Sequence, residues 1–145
     1  MTETSIAILI KRASLAFDKA ANNYLTPYGL TNTQFKILKY LYRQPDLSVT
    51  QRQLEAFLDM TNLTVTGILQ NLEKNEFISR QQNPQDARSK VLGLTEKSLA
   101  IQSELIDLGT QMDKDFTHHL SESEKNALAL LLTKLMKGNH HADTN

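Results

Sequence analysis

Within residues 61–80 the spacing of apolar side chains changes from helical to alternating, and this switch sets the terms for the rest of the chain. Val65, Ile68, Leu69 and Leu72 recur at helical spacing and form one apolar face. Leu63, Thr66, Gly67, Gln70 and Lys74 project from the opposite side. That outer face is uncharged near its N-terminal end and rich in small or amide side chains, which suits a helix lying close to base edges in a nucleic-acid groove. Phe77 and Ile78 then begin an alternating pattern, and a polar turn with basic residues follows. A helix running into a basic hairpin predicts a winged helix-turn-helix, mainly α with a small β-hairpin wing.

The elements on either side agree with this. A first helix over residues 5–25 carries Ile6, Leu9, Ile10, Ala13, Phe17, Ala20 and Tyr24 at helical spacing, and Pro27 ends it. Thr31 with Gln34, and Thr50 with Gln53, have the spacing of capping boxes and predict the starts of the second and third helices. Val49 is placed to staple against Leu54, and Leu54, Phe57 and Leu58 are expected to face inward. Asp59 and Met60 leave only a tight turn before the fourth helix at Thr61, as a helix-turn-helix requires. Two short strands, residues 78–80 and 91–94, flank a polar turn containing Asn83, Pro84, Gln85, Asp86 and Arg88. Over residues 78–92, Arg80, Arg88 and Lys90 stand against Asp86 alone, a net of +2. Thr95 is expected to cap a long fifth helix with Ile101, Leu105, Leu108, Met112, Phe116 and Leu120 at intervals of three and four. Gly109 interrupts that helix, either for a close helix crossing or for a bend. Ser121 and Glu124 form a further capping box, opening a last helix that bears Leu128, Leu131, Leu132 and Leu135 and reaches Gly138. Residues 139–145 are expected to be a flexible tail.

These terminal helices are more apolar than a small winged domain needs for its own core. We therefore expect a single domain, 1–145, in which residues 31–94 are the winged helix-turn-helix and residues 1–30 and 95–138 are homodimerisation helices. Charge is distributed to match: residues 1–95 hold eleven Lys/Arg against eight Asp/Glu, a net of +3, and the remainder holds five against eight, a net of −3. The longest purely apolar run, residues 127–132, is far short of the about 18 residues of a membrane span. Glu3 precedes the apolar residues Ile6 to Ile10, and Lys11 and Arg12 follow them, an order unlike a secretory signal, so a cytoplasmic protein is expected. Without cysteine there is no disulfide, thiolate metal site or thiol redox switch.

Several motifs, in order and spacing, resemble the MarR (multiple-antibiotic-resistance regulator) family of bacterial winged helix-turn-helix transcriptional regulators. They are Thr64-Val65-Thr66 with Leu72-Glu73-Lys74, the wing pattern Asp86-x-Arg88-x-Lys90, and Leu94-Thr95-Glu96-Lys97. The resemblance covers nearly the whole chain. It implies a dimeric repressor that binds double-stranded DNA at an inverted-repeat operator and is released by a small aromatic or amphipathic effector. On this reading the DNA-binding candidates are Thr50, Gln51, Thr61, Asn62, Leu63, Thr64, Thr66, Gly67, Gln70, Lys74, Arg80, Arg88 and Lys90, with Asp86 orienting the wing. The resemblance also implies an effector pocket between the dimer helices and the winged domain, for which Phe17, Tyr24, Tyr28 and Phe35 are the candidate walls. Relatives often have a basic residue at Gly67, a second arginine at Ala87, and glycine at Asn75 or Glu76; of the last two, Asn75 is the better candidate for a left-handed conformation.

Catalytic or metal chemistry finds no footing, and no cofactor is expected. The five glycines are too dispersed to cradle a phosphate, and no Gly-x-Ser-x-Gly elbow is present. His118 and His119 are adjacent, so on a helix they would diverge by about 100°. His140 and His141 fall in the expected tail. The alternative to a DNA-binding regulator is a helical protein-interaction module that has the winged-helix fold without specific DNA binding.

Overall fold

Each of the expected caps forms. In the computed structural model, which describes residues 5–139, Thr31, Thr50, Thr95 and Ser121 all close reciprocal boxes with the residue three further on. Two of the otherwise orphaned N–H groups at each of these helix starts are satisfied in this way. The elements are α1 (Ile6–Leu25), α2 (Asn32–Tyr42), β1 (Val49–Thr50), α3 (Gln51–Leu58), α4 (Asn62–Lys74), β2 (Ile78–Asn83), β3 (Asp86–Leu94), α5 (Glu96–Ala100), α6 (Gln102–Phe116) and α7 (Glu122–Gly138). The chain divides into two compact units, residues 1–109 and 110–145.

In the first unit the core draws Leu25 from α1, Ile37 and Leu38 from α2, Leu54 from α3, Val65, Leu69 and Leu72 from α4, Leu92 from β3 and Leu105 from α6, all fully buried. Val49 and Leu54, the expected staple pair, are both buried. A single turn of 3-10 helix, Thr26–Tyr28, separates α1 from α2, and Pro27 sits at its start, where a missing N–H costs nothing. Gly109 lies where α6 passes α2: a Cβ there would stand 2.9 Å from Cζ of Phe35. The glycine thus serves a close helix approach. Tyr42 of α2 donates to the carbonyl of Ser98 on α5, at 2.5 Å, and burial pushes its pKa up to about 12.

Several expectations are corrected. The hairpin strands are longer than 78–80 and 91–94: β2 runs on to Asn83 and β3 starts at Asp86, with Gln81 opposite Val91, Gln82 opposite Lys90 and, past a shift in register, Asn83 opposite Asp86, leaving only Pro84 and Gln85 as the turn. Polar residues at these positions hide the strand because neither face of a projecting ribbon is buried. Residues 49–50 add a third strand, giving the antiparallel order β1-β3-β2 with Val49 opposite Leu92 and Thr50 opposite Val91. The long fifth helix is interrupted at Ile101, with φ −101° and ψ 8°, where neither proline nor glycine announces a break. Phe57 does not face inward: it is 51% exposed, and its ring leans on Tyr40 with centroids 4.5 Å apart. The left-handed residue before the wing is Glu76, at φ 65°, rather than Asn75, at φ −89°. Asn75 remains outside the left-handed region and donates through Nδ2 to Asn71.

In the second unit α7 buries no residue. His118 and His119 do not diverge, because residues 117–119 form a turn instead of continuing the helix; their rings lie 3.8 Å apart. Among the described residues no group of three His, Cys, Asp or Glu could hold a metal ion. No described helix is long and apolar enough to cross a membrane. Apart from Asn139, the expected tail lies outside the described residues, and so do His140 and His141.

Candidate nucleic-acid interface

The site is built on α4, and the two sides of that helix are held by different forces. Val65, Leu69 and Leu72 fix its inner face in the core, while Ile68 is only half-buried. At its start the Thr61 side chain accepts the N–H of Thr64 at 3.3 Å and donates to the Thr64 hydroxyl at 3.0 Å. Thr61, Asn62, Leu63 and Thr64 are all exposed there. Along the outer face Leu63 is 84% exposed, Gly67, Gln70 and Lys74 are exposed, and Thr66 is half-buried. A Cβ on Gly67 would meet nothing within 4 Å, so packing inside the chain does not require glycine there.

Thr50 and Gln51, both half-buried, open α3 beside this face. The Thr50 hydroxyl is committed to its cap, accepting the N–H of Gln53 at 3.3 Å. Gln51 reaches across to α4 and donates to the Thr66 hydroxyl at 2.9 Å. Glu55, which the sequence reading passed over, accepts from Gln51 at 3.2 Å and from Asn62 at 2.9 Å. The i, i+4 spacing of Gln51 and Glu55 was a usable signal for their contact; the Asn62 contact depends on how the two helices cross.

The wing presents its basic residues unequally. Arg88 is 93% exposed at the side chain, Lys90 is exposed, and Arg80 is only 23% exposed. Arg80 donates through Nε and Nη2, at 3.3 and 3.1 Å, to a single oxygen of Glu73, joining β2 to the last turns of α4. Asp86 accepts chiefly from the backbone N–H of Arg88, at 3.0 Å, and only loosely from its guanidinium, at 3.5 Å. It shapes the turn more than it aims the side chain. Asn83 makes the matching bond on the other side of the tip, to the N–H of Gln85 at 3.0 Å. At the base, Thr95 donates to the carbonyl of Glu76 at 2.6 Å and Lys97 to that of Asn75 at 2.8 Å.

The candidate effector residues do not share one environment. Phe17, Tyr24 and Tyr28 are half-buried, whereas Phe35 is buried beneath Gly109. Tyr28 donates to Glu104 at 3.0 Å, and that bond, followed by burial and the carboxylate's charge, raises the phenol pKa above its ordinary value.

Comparison with known proteins places this arrangement. The MarR family model matches residues 30–90. The transcriptional regulator SarZ of Staphylococcus aureus is 31% identical over 106 residues, covering 73% of this chain and 69% of SarZ. The chain belongs to the MarR family. Within it, the uncharacterised regulator YdcH of Bacillus subtilis is 34% identical over 96 residues, which span 64% of this chain and 65% of YdcH. The S. aureus MepR structure, solved as a DNA complex, superposes with a TM-score of 0.85 at 29% identity, covering 94% of this chain and 99% of that one. SarZ and YdcH are both HTH-type transcriptional regulators.

Proposed function

We propose that this MarR-family regulator is a dimeric repressor that binds an inverted-repeat operator and leaves it when a small effector binds. The observation that carries the DNA reading is the outer face of α4: it is open, nearly uncharged toward its N-terminus, and accompanied by a wing whose Arg88 is almost fully exposed. Leu63, Thr66, Gly67 and Gln70 enter the major groove, and Arg88 enters the adjacent minor groove. Gln70 pairs with adenine, while Leu63 and the Thr66 methyl meet thymine methyls, so the half-sites are rich in A·T pairs. Lys74, Lys90 and the helix-start residues Thr50, Thr61, Asn62 and Thr64 face phosphate and set the register. Arg80, held by Glu73, fixes the angle of the wing.

Dimerisation is supported by the apolar side chains left open on α1 (Ile6, Ile8, Leu9) and on α7 (Leu130, Leu131, Met136). The effector reading rests on Phe17, Tyr24 and Tyr28, since Phe35 already belongs to the core. The DNA reading is tested by titrating duplexes selected from a random pool at several salt concentrations. A specific complex whose log affinity falls steeply and linearly with log salt is expected, because phosphate contacts release counterions. Absence of any salt-dependent complex would leave the protein-interaction alternative.

A further inference from the structure

Glu55 stands between the two helices of the helix-turn-helix, and its Oε2 receives two amide nitrogens, Gln51 Nε2 at 3.2 Å and Asn62 Nδ2 at 2.9 Å. Gln51 Nε2 also donates to Thr66 Oγ1, at 2.9 Å. An amide nitrogen carries two hydrogens, so both of those on Gln51 are committed. A carboxylate only accepts, and it therefore dictates which end of the Gln51 amide turns toward it. The carbonyl Oε1 is left without a partner among the described residues, and it is not fully buried. Asn62 is less constrained: Glu55 takes one of its two hydrogens and leaves one donor and its carbonyl available.

We propose that Glu55 is a positioning residue that turns Gln51 into an acceptor-only reader of the operator. Gln51 Oε1 accepts a hydrogen from the exocyclic amino group of an adenine or a cytosine in the major groove and disfavours guanine and thymine, which offer only acceptors at that edge. Phosphate oxygens also only accept, so this end of Gln51 gains nothing from the DNA backbone. The inference rests on the DNA-binding reading and adds to it a reader on α3 and the residue that orients it.

The test is selection from random duplexes, with direct binding measurements, for the full chain and for Glu55→Gln, Gln51→Ala and the double variant. In wild type one symmetric pair of positions should favour adenine or cytosine by about fivefold, the worth of one net hydrogen bond. Replacing the carboxylate by an amide lets either end of Gln51 face it, so Glu55→Gln should lose this preference while still binding. Gln51→Ala should lose it at the same pair, and the double variant should lose nothing more. Glu55→Gln retaining the wild-type preference, with affinity raised alike for every duplex, would show that only its charge matters and overturn the proposal. Should Glu55→Gln fail to fold, Gln51→Ala decides: an unchanged consensus in that variant also overturns it. A wild-type chain that binds no duplex in a salt-dependent way refutes the DNA-binding reading itself, a result distinct from the others because it needs no variant.

Discussion

Helices α4 and α7 have similar apolar content but different fates. On α4 the apolar residues Val65, Leu69 and Leu72 are fully buried by the rest of the chain, and what remains outside is small, polar or singly apolar. On α7 nothing is buried, and Leu128, Leu130, Leu131, Leu135 and Met136 are all exposed. The contrast separates two meanings of an exposed helix. The surface of α4 is left over after its packing is complete and is available to a polar groove. The surface of α7 carries apolar side chains that the chain itself leaves unpacked, with Leu128, Leu131 and Leu135 on one side of the helix and Leu130 on the other.

The largest effect should come from the unfinished side. Replacing Leu130 and Leu131 together with aspartate should convert a dimer to a monomer in sedimentation and weaken binding to an inverted repeat by about 100-fold or more, since the second half-site is no longer tethered. Helix content should persist, because neither residue is buried in the chain. Leu105→Asp makes the opposite point: its side chain is fully buried, so that change should unfold the first unit. An unchanged dimer after the Leu130/Leu131 change would remove the distinction between the two helices.

On the finished side the expected effects are smaller and leave the fold alone. Arg88→Ala should weaken operator binding by about 1.5–3 kcal/mol and make the salt slope shallower, with little change in stability because its exposed pair with Asp86 is worth at most about 1 kcal/mol. Equal salt slopes for variant and wild type would take Arg88 off the DNA. Gln70→Ala should relax discrimination at one symmetric pair of adenines by about 1–3 kcal/mol; an identical consensus would show that α4 does not read through this residue. The smallest effect is Gly67→Ala. With nothing within 4 Å of the added Cβ, the variant should gain up to about 1 kcal/mol in denaturant unfolding. A loss of stability instead would mean that the outer face of α4 is packed and not free.

Local chemistry explains what could be read in advance. A capping box needs only two residues three apart, and the boxes at Thr31, Thr50 and Ser121 formed as their spacing required. The change of period at Phe77 located the start of the wing for the same reason, since periodicity records which residues share a face. Polar strands defeated that method: residues 81–83 and 86–90 belong to β2 and β3 without burying a face, so no alternation betrays them. Helical spacing supplied the outer-face candidates on α4 and the charge of the hairpin those on the wing, but nothing in the spacing of Arg80 revealed that Glu73 already held it.

The sequence by itself determined the helices, their starts, the helix-to-strand switch and the surplus of apolar residues on α1 and α7, because each depends on neighbours within a few positions along the chain. Tertiary structure alone decided the break at Ile101, the fit of Gly109 against Phe35, the withdrawal of Arg80 from the exposed wing and the bridge from Glu55 to Asn62. Each of these depends on the angle at which one element meets another, and that angle is set by packing across the core, which no local pattern encodes.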